Sequence, residues 1–317
     1  MDLRRRRVRG PAGAALKDSS PKAGPGRPEG RGELALPAVM VLCGIISVQA
    51  GAGIADKLFH EIAPAAVTGL RLWTSAVAMA AISARGLARA LGDLRRRKAL
   101  SDSLIAVSFG LALLIMNFSI YQAFSRIPLG VAVTIEFLGP LAVAVAGSRH
   151  PRDVGWVVLA AAGVVLLTRG GPGHLDLTGV LFAAVAAAGW AAYIVLSSAT
   201  GRRFPGSAGL AIAMIVAGIL VTPPAVMAGG REMFRPAVLA TGAGIGILSS
   251  VIPYRLELEA LRRMPTRLFG VWMSLEPAVA ALIGLAFLGQ QLSGLEWLAI
   301  GCVMIACAGA SLHTAQP

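Results

Sequence analysis

Acidic residues are scarce in this chain, and charge of any kind is thin. Asp and Glu together number 16 among 317 residues, and only 14% of positions are charged. A soluble domain of this length carries roughly 25% charged residues, so a water-facing surface is missing for most of the chain. Cysteine is nearly absent. The three present, Cys43, Cys302 and Cys307, are odd in number and lie inside apolar runs, which excludes a disulfide framework. They are expected to be small packing residues. The four histidines, His60, His150, His174 and His313, are scattered, and no Cys/His spacing of a metal site occurs. No P-loop, metalloprotease motif or serine elbow is present, which argues against an enzyme and against ATP-driven work by this chain alone. Gly242-Ala-Gly-Ile-Gly246 follows no strand, so it is not a dinucleotide fingerprint; Gly242 and Gly246 read instead as a small-residue packing face. No cofactor and no metal are expected.

What is abundant is apolar surface. Hydrophobic residues make up 56% of the chain and mean hydropathy is +0.72. A bilayer core about 30 Å thick needs roughly 20 apolar residues per helical crossing. Ten stretches qualify: 35–55, 64–84, 104–124, 128–147, 153–169, 177–198, 208–228, 237–258, 266–288 and 294–313. The lipid bilayer is therefore a partner of this chain. Residues 1–34 hold nine basic residues among Pro and Gly, with no apolar run of signal-peptide type, and read as a disordered basic tail.

The net charge of +13 is not that of a nucleic-acid binder. Its basic residues fall in the tail and in short gaps between apolar runs, with no folded soluble face for phosphate contacts. Thirteen of them lie in alternate gaps: Arg85, Arg89, Arg95, Arg96, Arg97 and Lys98, then Arg149 and Arg152, then Arg202 and Arg203, then Arg262, Arg263 and Arg267. The other gaps hold only Lys57, Arg126, Arg169, Arg231 and Arg235. The bias of Lys and Arg toward the cytoplasm places both termini inside.

The chain also repeats itself. Ala-Phe-Ser-Arg-Ile-Pro at 123–128 aligns with Ala-Leu-Arg-Arg-Met-Pro at 260–265, an offset of 137 that carries Pro140 onto Pro277. Each repeat has five spans, so the second must be inverted relative to the first. The fold class is thus all-α integral membrane: ten transmembrane helices as two inverted five-helix repeats, 35–170 and 171–317, after the tail at 1–34. Inverted repeats of this kind place a binding site near the membrane midplane.

Ionisable residues inside the bilayer are costly and ask for a reason. At about 1.5 Å per residue, Arg71 lies about 10 Å into the second span and Glu136 about 12 Å into the fourth, both from the outer side. Glu276 lies about 15–17 Å into the ninth, near the midplane. Arg71 and Glu136 are close enough in depth to form a buried pair, or each can serve a substrate. Glu276 has no evident partner and fits a proton- or ammonium-binding role. Pro140 and Pro277 mark helix breaks, since neither can donate to the carbonyl four residues before it, Glu136 and Met273 respectively. Gln49, Asn117, Tyr121, Trp190 and Tyr193 complete a candidate polar cavity, with interhelical bonding as the alternative reading for each. Arg255, Glu257 and Glu259 read as interface or gate residues at the inner end of the eighth span.

Several segments resemble a known family. Ile-Pro-Leu-Gly-Val-Ala-Val at 127–133, Glu136-Phe137 and Gly-Pro-Leu-Ala-Val-Ala at 139–144 are similar to the threonine/homoserine exporters, drug/metabolite transporters with two EamA-type repeats. So are Pro-Thr-Arg-Leu-Phe-Gly at 265–270, Met-Ser-Leu-Glu-Pro-Ala at 273–278 and Phe287-Leu-Gly, with Ser-Val-Gln-Ala-Gly-Ala at 47–52 and Val-Thr-Gly-Leu-Arg-Leu at 67–72. The resemblance spans 37–313. It implies a ten-helix cell-membrane exporter of small amino acids, proton- or gradient-coupled, with Glu136, Glu276 and Arg71 as functional positions. Gln290 stands where many members carry Glu. A drug or other metabolite exporter of the same fold, or a non-transporting scaffold, are the alternatives. The partners expected are a small-molecule substrate and lipid, with a homodimer left open.

Overall fold

A computed structural model describes residues 35–97, 100–147, 153–170 and 175–313. The basic tail at 1–34 and the positions of Lys98, Arg149, His150, Arg152 and His174 lie outside them. Every regular element among the described residues is helical. In chain order these are α1 (Ala35–Leu58), α2 (Pro64–Ile82), α3 (Ala84–Arg97), α4 (Leu100–Phe124), α5 (Leu129–Glu136), α6 (Leu138–Ala146) and α7 (Asp153–Gly170). There follow α8 (Leu177–Gly201), α9 (Ala208–Gly229), α10 (Pro236–Gly246), α11 (Ile252–Leu261), α12 (Thr266–Met273), α13 (Glu276–Leu288) and α14 (Gly294–His313).

Nine segments among the described residues are long and apolar enough to cross a membrane; α5 with α6, α10 with α11, and α12 with α13 each count as one. The apolar part of α7, Val154–Leu167, is shorter. The molecule is a multi-pass membrane protein. Its outer shell carries exposed Ile46, Val77, Leu104, Val158, Val185 and Ile219, the surface a lipid solvent accepts. Cys307 is buried, but Cys43 is exposed on that shell rather than packed inside. Chain chemistry sets several boundaries: Pro64 and Pro236 open α2 and α10, where their missing N–H costs nothing. Gly289 closes α13 in the left-handed region at φ 66°.

The gap between the second and third spans is helical. In α3 the apolar stripe seats Ala90 against Phe204, Ala208 and Ile212, while Arg85 and Arg89 face outward. A 14-residue amphipathic helix has too few apolar residues to span, so it lies along one end of the bundle.

Packing follows a regular scheme. α2 lies on α9, α7 on α14 and α5 on α13; α4 packs on α8 as α1 packs on α10 and α11. The α10 contact with α2 runs through the glycine face expected from the sequence, for a Cβ on Gly242 would fall 2.6 Å from Leu70 Cβ and one on Gly246 2.6 Å from Thr74 Cβ. Arg203 pairs with Asp102 at 3.1 Å, and Ser83 with Ser207 at 2.7 Å, at the end of the bundle where α1 begins and α14 finishes. That end carries Arg202, Arg203, Arg262 and Arg263 and is called the basic end below.

Candidate functional site

Three interruptions in the helices shape the centre. α5 stops at Glu136 and α6 restarts at Leu138, with Phe137 at φ −63°, ψ −13° between them. α12 stops at Met273 and α13 restarts at Glu276, with Ser274 at φ −63°, ψ −10°. Each break sits just before the proline that withholds a backbone donor, Pro140 or Pro277. The third is a π-helical turn, Ile247–Val251, followed by Pro253 in α11, and the sequence reading of 237–258 as one plain span missed it. Such turns recur at functional sites because they widen the helix and shift the register of its side chains.

The interruptions surround a cavity of about 150 Å³. Its wall includes Gln49 of α1, Arg71 of α2, Asn117 of α4, Glu136 of α5, Trp190 and Tyr193 of α8, and Glu276 of α13. Seven of the eight candidate side chains thus converge on one space. Tyr121 does not line it. Its ring is fully buried and lies 5.2 Å beneath the Arg71 guanidinium, so it supports the wall from behind. Pro140 also lies off this cavity, in a more apolar one of about 210 Å³ that shares Trp190 and Met273 with it.

Glu276 accepts a hydrogen bond from Gln49 Nε2 at 2.8 Å, a partner across the bundle that depth alone had not indicated. Of the two readings of Arg71 and Glu136, the buried ion pair is not formed: the ion pairs among the described residues do not include it. Arg71 instead donates from Nη2 to the carbonyl of Ser249 at 3.2 Å. The π-turn is what brings that carbonyl within reach, and Ser47 Oγ, donating to the Leu248 carbonyl at 2.7 Å, braces it. Asn117 spends its amide on the Leu113 carbonyl at 2.8 Å, and Trp190 stands edge-on to Phe137 at 4.9 Å.

The two carboxylates enter from unlike neighbourhoods. All eight residues of α5 are buried and none of α12 is. Where Gly139 lies, a Cβ would meet the Ala187 backbone, so α6 and α8 close on each other there; 137 positions on stands Glu276, which lines the cavity. Three polar atoms on cavity-lining residues have no hydrogen-bond partner: Gln49 Oε1, Arg71 Nε and Ser249 Oγ. Buried groups in that condition are commonly completed by water or a ligand.

Ser249, Tyr254, Glu257 and Met273 also line the cavity and were not among the candidates. Glu257 had been read as a gate or interface group; Pro253 was the signal for the rest, since it marks the distorted turn from which Ser249 and Tyr254 face inward.

At the end opposite the basic one, a broader cavity of about 650 Å³ is lined by Asp56, Phe59, His60, Phe124 and Arg126. Phe124 borders both cavities. Phe59, Tyr121 and Phe124 meet edge-to-face, each contact 5.8 Å between centroids, and form an aromatic partition between them. Gln290 fixes the same region: its Oε1 accepts from Leu129 N at 2.9 Å, capping the first residue of α5.

A bundle of apolar helices enclosing a small polar cavity at its broken helices defines a membrane transporter fold. Comparison with known proteins agrees. Residues 177–312 match the EamA-like transporter family. The chain is 38% identical over 279 residues to "Threonine/homoserine exporter RhtA" of Escherichia coli K12, covering 87% of this chain and 92% of that one. It is 32% identical over 160 residues to "Uncharacterized transporter YwfM" of Bacillus subtilis, covering 50% and 54%. A solved crystal structure superposes at TM-score 0.54 with 22% identity, over 88% of this chain and 99% of that one, and supports the fold alone. The chain belongs to the EamA-like transporter family.

Proposed function

We propose that this protein is a secondary exporter of small amino acids of the threonine and homoserine type across the inner membrane, working by alternating access with both termini in the cytoplasm. One observation carries the reading. A cavity of about 150 Å³ at the helix breaks presents one arginine together with carboxylates, the complement of a zwitterion. The volume is below the roughly 300–1,000 Å³ of pockets for drug-sized ligands, which favours an amino acid over a drug. Arg71 offers a guanidinium fork to the substrate carboxylate. Glu276, steadied by Gln49, and Glu136 offer acceptors to its ammonium. The substrate class follows the printed name of the 38% identical relative.

The architecture in this reading is ten spans in two inverted halves, 35–170 and 171–317. Its support is the equivalence of α5 with α12 at the offset of 137, with Pro128 and Pro265 entering them at nearly the same dihedrals, φ −54°, ψ 141° and φ −59°, ψ 141°. The packing scheme is likewise unchanged when the halves are exchanged, α4 on α8 becoming α1 on α10 and α11. The tightly buried α5 against the loosely packed α12 corresponds to a state closed outward; rocking exchanges the two. The test is counterflow of labelled threonine into proteoliposomes loaded with unlabelled threonine. Accumulation above empty vesicles is expected, and its absence for every small amino acid tried refutes the reading.

A further inference from the structure

The cavity wall holds three carboxylates, Glu136, Glu257 and Glu276, and one arginine, Arg71. A zwitterionic substrate brings equal charges of both signs, so it leaves that excess of negative charge unchanged. A proton bound to one of these carboxylates relieves it without occupying space beside the substrate. Glu276 is engaged with Gln49, and Glu136 sits at the α5 break, where every residue is buried. Glu257 is placed differently. It lies eight residues beyond Ser249, about 12 Å nearer the basic end than the Arg71 contact at 1.5 Å per residue.

Among the described residues no arginine at that end, exposed Arg267 of α12 included, forms an ion pair with it. Arg262 and Arg263 both pair with Glu259, at 3.3 Å and 2.8 Å, and Arg255 is exposed. Among the described residues Glu257 has no ion pair. On the α1 side it meets Gly44, where a Cβ would be 3.8 Å from its Oε1. The charged residue of α1 in contact with an aromatic ring, Lys57, is far away over Phe287. The titratable groups sharing its space are Glu276 from α13, Glu136 from α5, Arg71 from α2, Tyr193 from α8 and its own neighbour Tyr254.

We propose that Glu257 is a proton-binding site at the basic end of the cavity, the group that couples export to proton entry and is separate from the substrate-holding Glu276. The inference rests on the amino-acid reading of Arg71 and Glu276. In the step itself, an O–H bond forms on a Glu257 carboxylate oxygen as one breaks in a hydronium ion of the cavity water; release reverses it, and nothing is oxidised or reduced.

The test compares threonine counterflow with threonine transport driven by a pH gradient, in proteoliposomes of full-length wild type, Glu257→Gln and Glu257→Asp. Wild type is expected to show both. E257Q is expected to lower the gradient-driven rate by at least about tenfold more than it lowers counterflow. E257D, which keeps a carboxylate should E257Q fail to fold, is expected to retain gradient-driven transport with a displaced pH optimum. Gradient-driven transport at the wild-type rate in E257Q overturns the proposal. So does an unmoved optimum in E257D, or a parallel loss of both activities in the two variants. Wild-type counterflow with no response to the gradient sinks the coupling role alone. No wild-type counterflow at all sinks the substrate reading and the proposal with it.

Discussion

Arg71 and Ser249 meet across 178 residues of chain, the guanidinium donating to a backbone carbonyl at 3.2 Å. Pro253, four residues on from Ser249, has no N–H to offer that carbonyl in the α-helical pattern. The guanidinium is therefore held by backbone and by the Tyr121 ring, with its Nε still unpartnered and, among the described residues, no carboxylate in ion-pair contact with it. That leaves the charge available to a substrate.

Replacing Arg71 with Lys keeps the charge and removes the fork. Hydrogen bonds to charged groups contribute about 1.5–3 kcal/mol, so the KM for threonine is expected to rise by about 10- to 150-fold. Protein yield and melting temperature should change little, because the Tyr121 ring can pack on the lysine stem. Counterflow titrations across threonine concentration check this.

Glu276→Gln is expected to reduce counterflow by at least about tenfold, since the neutral amide loses the charge-assisted contact to the substrate ammonium. Gln49→Leu removes the partner rather than the charge and should raise KM by a smaller factor, about 5-fold, for a net hydrogen bond of about 1 kcal/mol. An equal loss in the two variants would mean that the pair matters as a structural clasp only.

Gly130→Val tests the crossing of α5 and α13. A Cβ at Gly130 would come within 2.6 Å of the Ala281 Cβ and 2.7 Å of its Cα, so the helices must separate. Overpacking of this kind costs about 1–3 kcal/mol. A lower melting temperature in detergent and loss of transport are expected together. Gly92→Val, at a glycine with open space around it, is the matched control and should leave both near wild type.

Gln290→Leu leaves the Leu129 N–H without its cap. The α5 end of the closed outer side should loosen. In a variant lacking Cys43, Cys302 and Cys307, a cysteine at Phe124 is expected to react faster with a membrane-impermeant thiol reagent when Gln290→Leu is added. Unchanged reactivity would remove Gln290 from the closure.

Much of the site was readable because its signals are expensive in a membrane. Arg71, Glu136 and Glu276 announce themselves as charges at depth, and Pro140 and Pro277 as missing donors at repeat-matched positions. Pro253 carries the same signal but has no proline partner in the first half, so the π-turn and Ser249 behind it went unread. Depth alone leaves Arg71 and Glu136 able either to pair or to serve a substrate separately. Depth fixes the level of a side chain but not its azimuth around the helix, and here Arg71 turns toward the π-turn. For the same reason Gln49 was a candidate with no named partner, although it faces Glu276 across 227 residues. The amphipathic α3 was hidden by its brevity, its pattern being too short and too basic to register as a span.

The most direct test of the central claim is competition of threonine counterflow by analogues that each lack one charge. Threonine and homoserine are expected to compete, while threoninol, without the carboxylate, and N-acetylthreonine, without the ammonium, are expected to fail. Competition by threoninol as strong as by threonine would contradict a zwitterion held between Arg71 and Glu276.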